Sequence, residues 1–279
     1  MTDPAGPSIG ARIGSACIWA IWLSFTALWT PVVAIVYLLT AWWDRRRFWA
    51  GSTFRLGAKI LIALNPWWHC RIEGEPPARD LHPFVAVSNH ESLADILIIG
   101  TLPWEMKWMS KESIFKVPFL GWMMRMAGDV SVKRNSVKSR GEAYAKTREW
   151  IERGSSVMIF PEGTRSKTRD MLPFRNGAFR LAVETGRPVQ PIAVSGTRDA
   201  IRKGTWVFGR ADVVVRVLQP VSVETGGAPA GTDEHHEEEA TALQQQAVTR
   251  IRDLVRTRIE AGRSVGVEDL TQQVDRDRF

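Results

Sequence analysis

Between Ile13 and Trp43 the chain carries no charged residue. Most of that interval is ACIWAIWLSFTALWTPVVAIVYLLTAWW, longer than the ~20 apolar residues that cross a bilayer as a helix. Tryptophans stand at both ends, as interfacial residues do. A secretory signal has a shorter apolar core and a small-residue cleavage site; here Trp42, Trp43 and Asp44 run into Arg45, Arg46 and Arg47. Arg55 and Lys59 lie on that same side, against Arg12 alone on the other, so the positive-inside rule places the remainder of the chain in the cytoplasm. The expectation is a membrane-anchored chain with its main domain on the cytoplasmic face of a bacterial inner membrane. Pro31 leaves two forms open: one kinked spanning helix, or a hairpin that dips into a single leaflet. A buried core helix is the competing explanation.

Phe48–Trp68 is apolar apart from Arg55 and Lys59. It predicts a second helix, either lying on the membrane with its basic side toward headgroups or packed on the domain. From about Arg71 short β-branched runs alternate with helical ones. Strands are predicted at 84–88, 106–109, 129–132, 157–160, 189–194 and 213–218, and helices at 92–101, 114–127, 137–153 and 176–185. Such alternation gives an α/β fold, a mixed, largely parallel sheet flanked by helices, behind an N-terminal membrane-anchoring helical motif. The predicted divisions are 1–68 for the anchoring helices, 69–223 for the α/β domain, and 224–279 for a linker and charged tail. In the tail, 224–232 has linker composition and 233–239 is acidic. Residues 241–261 read as an amphipathic helix with Val248, Ile251, Leu254, Val255 and Ile259 on one face. His235 and His236 are adjacent and diverge on any regular element, so a solvated helix start outweighs a metal site.

The formal net charge of +7 suits an anionic partner: nucleic acid, an acidic membrane or a phosphorylated substrate. Cys17 and Cys70 make neither a metal spacing nor a disulfide framework, which fits a reducing compartment.

Three predicted strands run into unusual loops, at the edge where α/β sheets gather their sites. The first reads SNHESLAD, with His90 at the turn and Asp95 one helical turn on. A carboxylate there can hold the imidazole Nδ1–H and leave Nε2 as a base; the alternative is helix capping by Asn89 or Ser92, with His90 a bystander. Ser92 lies between the pair, but at a helix start its natural role is also capping. The one Gly-x-Ser-x-Gly, GRSVG at 262–266, lacks the strand-turn-helix setting of a nucleophile elbow. Without a protein nucleophile, His90 would act on a substrate hydroxyl directly. The second loop, FPEGTRSKTRD, presents Thr164, Arg165 and Ser166 after Pro161 and Gly163; guanidinium suits phosphate. The third, GDVSVKRN, places Arg134 at a strand exit, and Lys111 ends another strand. Taken singly, each of these cations reads equally well as a surface charge.

Together, NHESLAD, GDVSVKR, FPEGTRS and VQPIAV resemble the four ordered blocks of the glycerolipid acyltransferase family, closest to its 1-acyl-sn-glycerol-3-phosphate (lysophosphatidic acid) acyltransferase type. The match runs from about Phe84 to Val194, with Ser131 where many members carry an aromatic. The resemblance implies acyl transfer from acyl-CoA or acyl carrier protein to the 2-hydroxyl of the lysolipid, with no acyl-enzyme. It makes His90 the general base, Asp95 its orienting carboxylate, and Glu162, Gly163, Thr164 and Arg165 the acceptor block, with Arg134 and Lys111 assisting at the acceptor phosphate. No cofactor or metal is implied; the partners are lysophospholipid, acyl donor and membrane, not nucleic acid. Other acceptors with the same chemistry stay open: glycerol-3-phosphate, another lysophospholipid or an ornithine-type lysolipid. Outside the family stand a thioesterase-like hydrolase and a non-enzymatic membrane-shaping protein. The Met-rich run Ser113–Gly128 has two readings, acyl-chain tunnel or ordinary core.

Overall fold

The computed structural model describes residues 8–223 and 234–276, with side chains for 8–223 and 241–264. The predicted linker at 224–232 and the side chains of the acidic run, His235 and His236 included, lie outside the described residues.

Helix α1 (Ile9–Thr40) runs unbroken through Pro31. The proline therefore does not divide the apolar run, and α1 is the described helix long and apolar enough to cross a membrane. Thr26, Thr30 and Thr40 return their hydroxyls to carbonyls one turn back, on Trp22, Thr26 and Val36, which satisfies them inside an apolar helix. A turn then reverses the chain into α2 (Phe48–Ala63). Gly57 lets the two helices approach: a Cβ there would clash with the Trp29 indole, whose Nε1 donates to the Thr53 carbonyl at 3.1 Å. The other side of α1 is stitched to the domain. Ser15 Oγ accepts the Phe208 N–H at 2.9 Å, and Trp22 packs edge-on against Trp68 and Phe208. Ile21, Leu28, Leu38, Trp42, Trp43 and Trp49 stay exposed.

The remaining elements are β1 (Trp68–Glu73), β2 (Val85–Ser88), α3 (Ala94–Ile99), β3 (Met106–Lys111), α4 (Glu112–Phe115), α5 (Leu120–Ala127), β4 (Val130–Val132), α6 (Val137–Glu152), β5 (Ser156–Ile159), α7 (Gly177–Thr185), β6 (Val189–Ser195), α8 (Thr197–Ala200), β7 (Ala211–Val217) and α9 (Glu234–Arg276). The sheet order is β1-β7-β6-β2-β5-β3-β4. Neighbours pair parallel except β6 and β7, so the fold is the mixed, largely parallel sheet that the alternation predicts. The central strand β2 is buried throughout, as strands covered on both faces are. One face packs Phe84, Ala86, Met158 and Ile192 against α1, α2 and α3. The other packs Val85, Val87, Val157 and Val189 against α6, α7 and α9.

Several details depart from the sequence-based prediction, among them the short α8 and the greater length of α9. Strand β1 is absent from it; this strand lies at the sheet edge, where His69, Arg71 and Glu73 dilute the β pattern. The predicted helix 114–127 is two, because Pro118 has no N–H to continue the ladder and pushes its predecessor out of the helical region; Phe119 adopts φ 63°. In α9, Val248, Ile251, Val255 and Ile259 are buried while Leu254 is 40% exposed, since 254 falls off the stripe drawn by the other four. GRSVG lies within α9, not at a strand-helix turn.

Candidate active site

Strand β2 delivers Asn89–Leu93 to the carboxyl edge of the sheet, between β5 and β6. Asn89 is wholly buried and does not cap α3. Its amide continues the sheet, donating to the Val194 carbonyl at 2.8 Å and accepting the Val194 N–H at 2.9 Å. Ser92 Oγ donates to the Ile201 carbonyl at 2.8 Å. That hydroxyl is committed to the backbone and is no candidate nucleophile.

His90 Nδ1 lies 2.7 Å from Asp95 Oδ2. The same oxygen accepts the N–H groups of Glu91 at 2.7 Å and Ser92 at 2.9 Å, so one carboxylate shapes the turn and aims the ring. With Nδ1 donating there, Nε2 is the acceptor nitrogen. Among the described residues no hydroxyl or thiol hydrogen-bonds the imidazole. The ring stacks on Phe160, with centroids 4.0 Å apart and planes at 15°.

Phe160 opens the FPEGTRS loop after β5. Glu162 is buried; its Oε1 accepts the His90 N–H at 2.7 Å and its Oε2 the Leu172 N–H at 2.9 Å. Burial pushes this carboxyl above its ordinary value, opposed by those two N–H groups. Ser166 N–H donates to the His90 carbonyl at 3.0 Å, so the two loops are tied on both sides of the base. Gly163 has φ 69°, and a Cβ there would press on the Arg175 guanidinium. Thr164 continues the turn, half-buried.

Arg165 and Arg134 share this edge with Arg175. Burial, and then the charges of Arg175 and Arg165, lower the Arg134 pKa. None of the three guanidinium groups has an acidic partner among the described residues. Lys203 adds a fourth cation, its Nζ donating to the Arg165 carbonyl at 2.7 Å. Lys111 ends β3 in register with Val132; it is exposed and absent from the charges that act on Arg134.

The sequence prediction missed Arg175, which precedes α7 in an unremarkable FRN segment. It also missed Arg263 on α9. Arg263 forms an ion pair with Glu91 and donates to the Arg169 carbonyl at 2.6 Å. Burial raises the Glu91 pKa, and the Arg263 charge opposes it.

Behind the base lies an apolar cavity of about 180 Å³ between α1, α2, α3 and α5, with Phe25, Trp29, Leu97, Trp108, Met123 and Met124 in its wall. Trp108 also packs on Phe160, with ring centroids 6.0 Å apart. An aromatic chain therefore links the cavity to His90.

The sequence model of the Acyltransferase family matches residues 69–195. The chain is 38% identical over 163 residues to the chloroplastic 1-acyl-sn-glycerol-3-phosphate acyltransferase BAT2 of Brassica napus, covering 57% of this chain and 47% of that one. To the 1-acyl-sn-glycerol-3-phosphate acyltransferase of Salmonella typhimurium it is 30% identical over 169 residues, covering 59% and 68%. The crystal structure of the 1-acyl-sn-glycerophosphate acyltransferase PlsC from Thermotoga maritima superposes with a TM-score of 0.56 at 26% identity, covering 84% of this chain and 97% of that one. The chain thus belongs to the glycerolipid acyltransferase family. It spans about half the length of the plant relative and about two thirds of the bacterial one.

Proposed function

We propose that the protein transfers an acyl group from acyl-CoA or acyl carrier protein to the 2-hydroxyl of 1-acyl-sn-glycerol-3-phosphate, giving phosphatidic acid. The observation that carries this reading is the His90–Asp95 contact, which orients an imidazole that, among the described residues, no protein nucleophile engages, beside three guanidinium groups without carboxylate partners among the same residues.

In this reading His90 Nε2 takes the proton of the lysolipid hydroxyl as its oxygen attacks the thioester carbonyl carbon. The carbon–sulfur bond then breaks, and the imidazolium returns the proton to the departing thiolate. A thioester is already activated, so no acyl-enzyme is required. Arg165, Arg134 and Arg175 hold the acceptor phosphate, because guanidinium binds phosphate through charge-assisted pairs of hydrogen bonds; Lys111 stands at the neighbouring strand exit as a further cation. Glu162 positions the base through its main chain, and Gly163 and Thr164 shape the loop that carries Arg165. The apolar cavity receives an acyl chain, with Met123 and Met124 from the Met-rich run in its wall. The α1–α2 hairpin seats the domain on the membrane, its exposed apolar residues in lipid and its arginines on the cytoplasmic side.

The test is a micelle assay read by mass spectrometry. It uses both donor types and a panel of acceptors: lysophosphatidic acid, glycerol-3-phosphate, other lysophospholipids and an ornithine lysolipid. Wild type should acylate lysophosphatidic acid in preference to the rest. His90→Ala should lose the ~10²–10⁴-fold that general-base catalysis typically contributes, and Asp95→Asn most of the same, with the fold retained. Full transfer by His90→Ala removes the assigned base; preference for another acceptor moves the same chemistry to that substrate.

A further inference from the structure

The turn between α1 and α2 encloses a polar cavity of about 460 Å³, walled by Tyr37, Thr40, Asp44, Arg45, Arg47 and Arg153. Its charge is unbalanced. Asp44 is the acid in this wall, and its Oδ2 is occupied by the Trp49 N–H at 2.9 Å in the first turn of α2. Arg47 is fixed: its Nη1 donates to the Arg125 carbonyl at 2.5 Å, and its guanidinium lies over the Tyr37 and Trp150 rings. Arg153 shares Glu149 with Lys146. Arg46 stands beside the cavity, donating to the Gly154 carbonyl at 3.1 Å. The Arg45 side chain has no hydrogen bond or ion pair among the described residues. Around the single indole of Trp150 gather Arg47, Lys107, Lys146 and Arg153. The N-terminus of α2, whose residue Arg47 supplies no side-chain cap, adds the positive end of a helix dipole.

Beside this cavity the surface is apolar. Trp42 is 81% exposed, and Trp43, Phe48 and Trp49 are each more than two-fifths exposed. A soluble surface does not leave two exposed aromatic pairs, Trp42–Trp43 and Phe48–Trp49, beside an arginine without an acidic partner. A lipid-water boundary accommodates both, aromatics at headgroup depth and cations against phosphate.

We propose that this turn binds the phosphate headgroup of an anionic phospholipid, apart from the catalytic centre, with Arg45 and Arg153 facing the phosphate and Trp42, Trp43 and Phe48 against the acyl chains. A zwitterionic headgroup would bring its own ammonium among these cations and bind less well. The proposal rests on the reading of the hairpin as membrane-seated.

The test uses the full chain in neutral detergent micelles, with native mass spectrometry of lipid adducts. Phosphatidylglycerol and phosphatidylcholine of identical acyl chains are compared, with inorganic phosphate as a third arm. Wild type should retain one phosphatidylglycerol in preference to phosphatidylcholine and should not retain inorganic phosphate. Arg45→Gln should lower that retention about fivefold and Arg45→Gln/Arg153→Gln by about the square of it, as expected for ~1 kcal/mol per arginine at an anionic surface. Arg165→Gln, in the proposed acceptor site, should leave the adduct in place. Equal retention of the two lipids overturns the proposal, as do retention of free phosphate, loss of the adduct in Arg165→Gln, and an unchanged adduct in Arg45→Gln. Arg45 makes no hydrogen bond or ion pair among the described residues, so its variant tests the site even if the double variant fails to fold. Failure of the membrane reading is separate: the full chain would stay in solution without detergent or vesicles, which removes both readings, whereas loss of headgroup preference removes only this one.

Discussion

Glu162 Oε1 accepts the backbone N–H of His90 at 2.7 Å, so the acid of the FPEGTRS loop grips the main chain of the proposed base. Its other oxygen grips Leu172, so both oxygens are engaged by main-chain N–H groups. Glu162→Gln places an amide N–H₂ against one of those two donors. Turnover should fall by about ten- to a hundredfold, the cost of leaving a buried donor unpaired being ~1–3 kcal/mol, while the KM for the acceptor stays near wild type. A rise confined to acceptor KM would instead place Glu162 in direct contact with substrate.

In the proposed reading Arg175 holds the acceptor phosphate together with Arg165, and its guanidinium lies against Gly163 of the same loop. Losing one charge-assisted hydrogen bond costs ~1.5–3 kcal/mol, so Arg175→Gln should raise the acceptor KM about tenfold or more and leave kcat within a few-fold. Arg165→Gln should behave alike. Steady-state kinetics with lysophosphatidic acid separates the two parameters, and an unchanged KM in both variants would remove phosphate recognition from this edge.

How far the sequence foretold this site depends on how local each part is. His90, Asp95 and the FPEGTRS loop were legible because a strand exit, a turn and the first residues of a helix are written within a few positions of one another. The α/β alternation was legible for the same reason, since β2 and β5 are short apolar runs bounded by turn residues. Strand β1 was not, because this edge strand buries only Trp68 and its polar residues hide the pattern. Arg175 and Arg263 were not, because their meaning lies in contacts across the fold: Arg263 meets Glu91 from 172 residues away. Leu254 was misplaced by drawing the apolar face of α9 too wide, a matter of a single helical step.

Arg263 makes the tail helix part of the site. Its guanidinium joins Glu91, next to the base, to the Arg169 carbonyl in the FPEGTRS segment. Arg263→Ala should lower turnover and leave Glu91 buried without its cation. Arg263→Ala combined with Glu91→Gln should recover part of the lost thermal stability, because the unpaired charge goes with its partner. Melting temperatures of the four proteins in one detergent complete that cycle, and strictly additive losses would show that the pair is not coupled.

Beneath the start of α2 lies a buried pair whose effect on stability has a definite sign. Lys107 Nζ donates to Glu105 Oε1 at 2.8 Å and to the Arg47 carbonyl at 3.1 Å. Gly51 leaves the room: a Cβ there would collide with the Glu105 carboxylate. Burial pushes the Glu105 pKa up to about 7 from 4.5, with Lys107 opposing. A raised carboxyl pKa means that the folded state holds the proton more tightly than the unfolded state. The stability from this group is therefore fully present below about pH 4.5 and is lost as pH rises through about 7, at no more than ~1.4 kcal/mol per pH unit. The Lys107 pKa is lowered by burial, with Glu105 opposing, and its contribution has the opposite sense. Glu105→Gln removes the carboxyl titration, so the slope of stability against pH is the informative readout. Between about pH 5 and 7 the wild-type melting temperature should fall relative to that of Glu105→Gln. Melting curves that stay parallel across this range would show that the carboxyl does not titrate there.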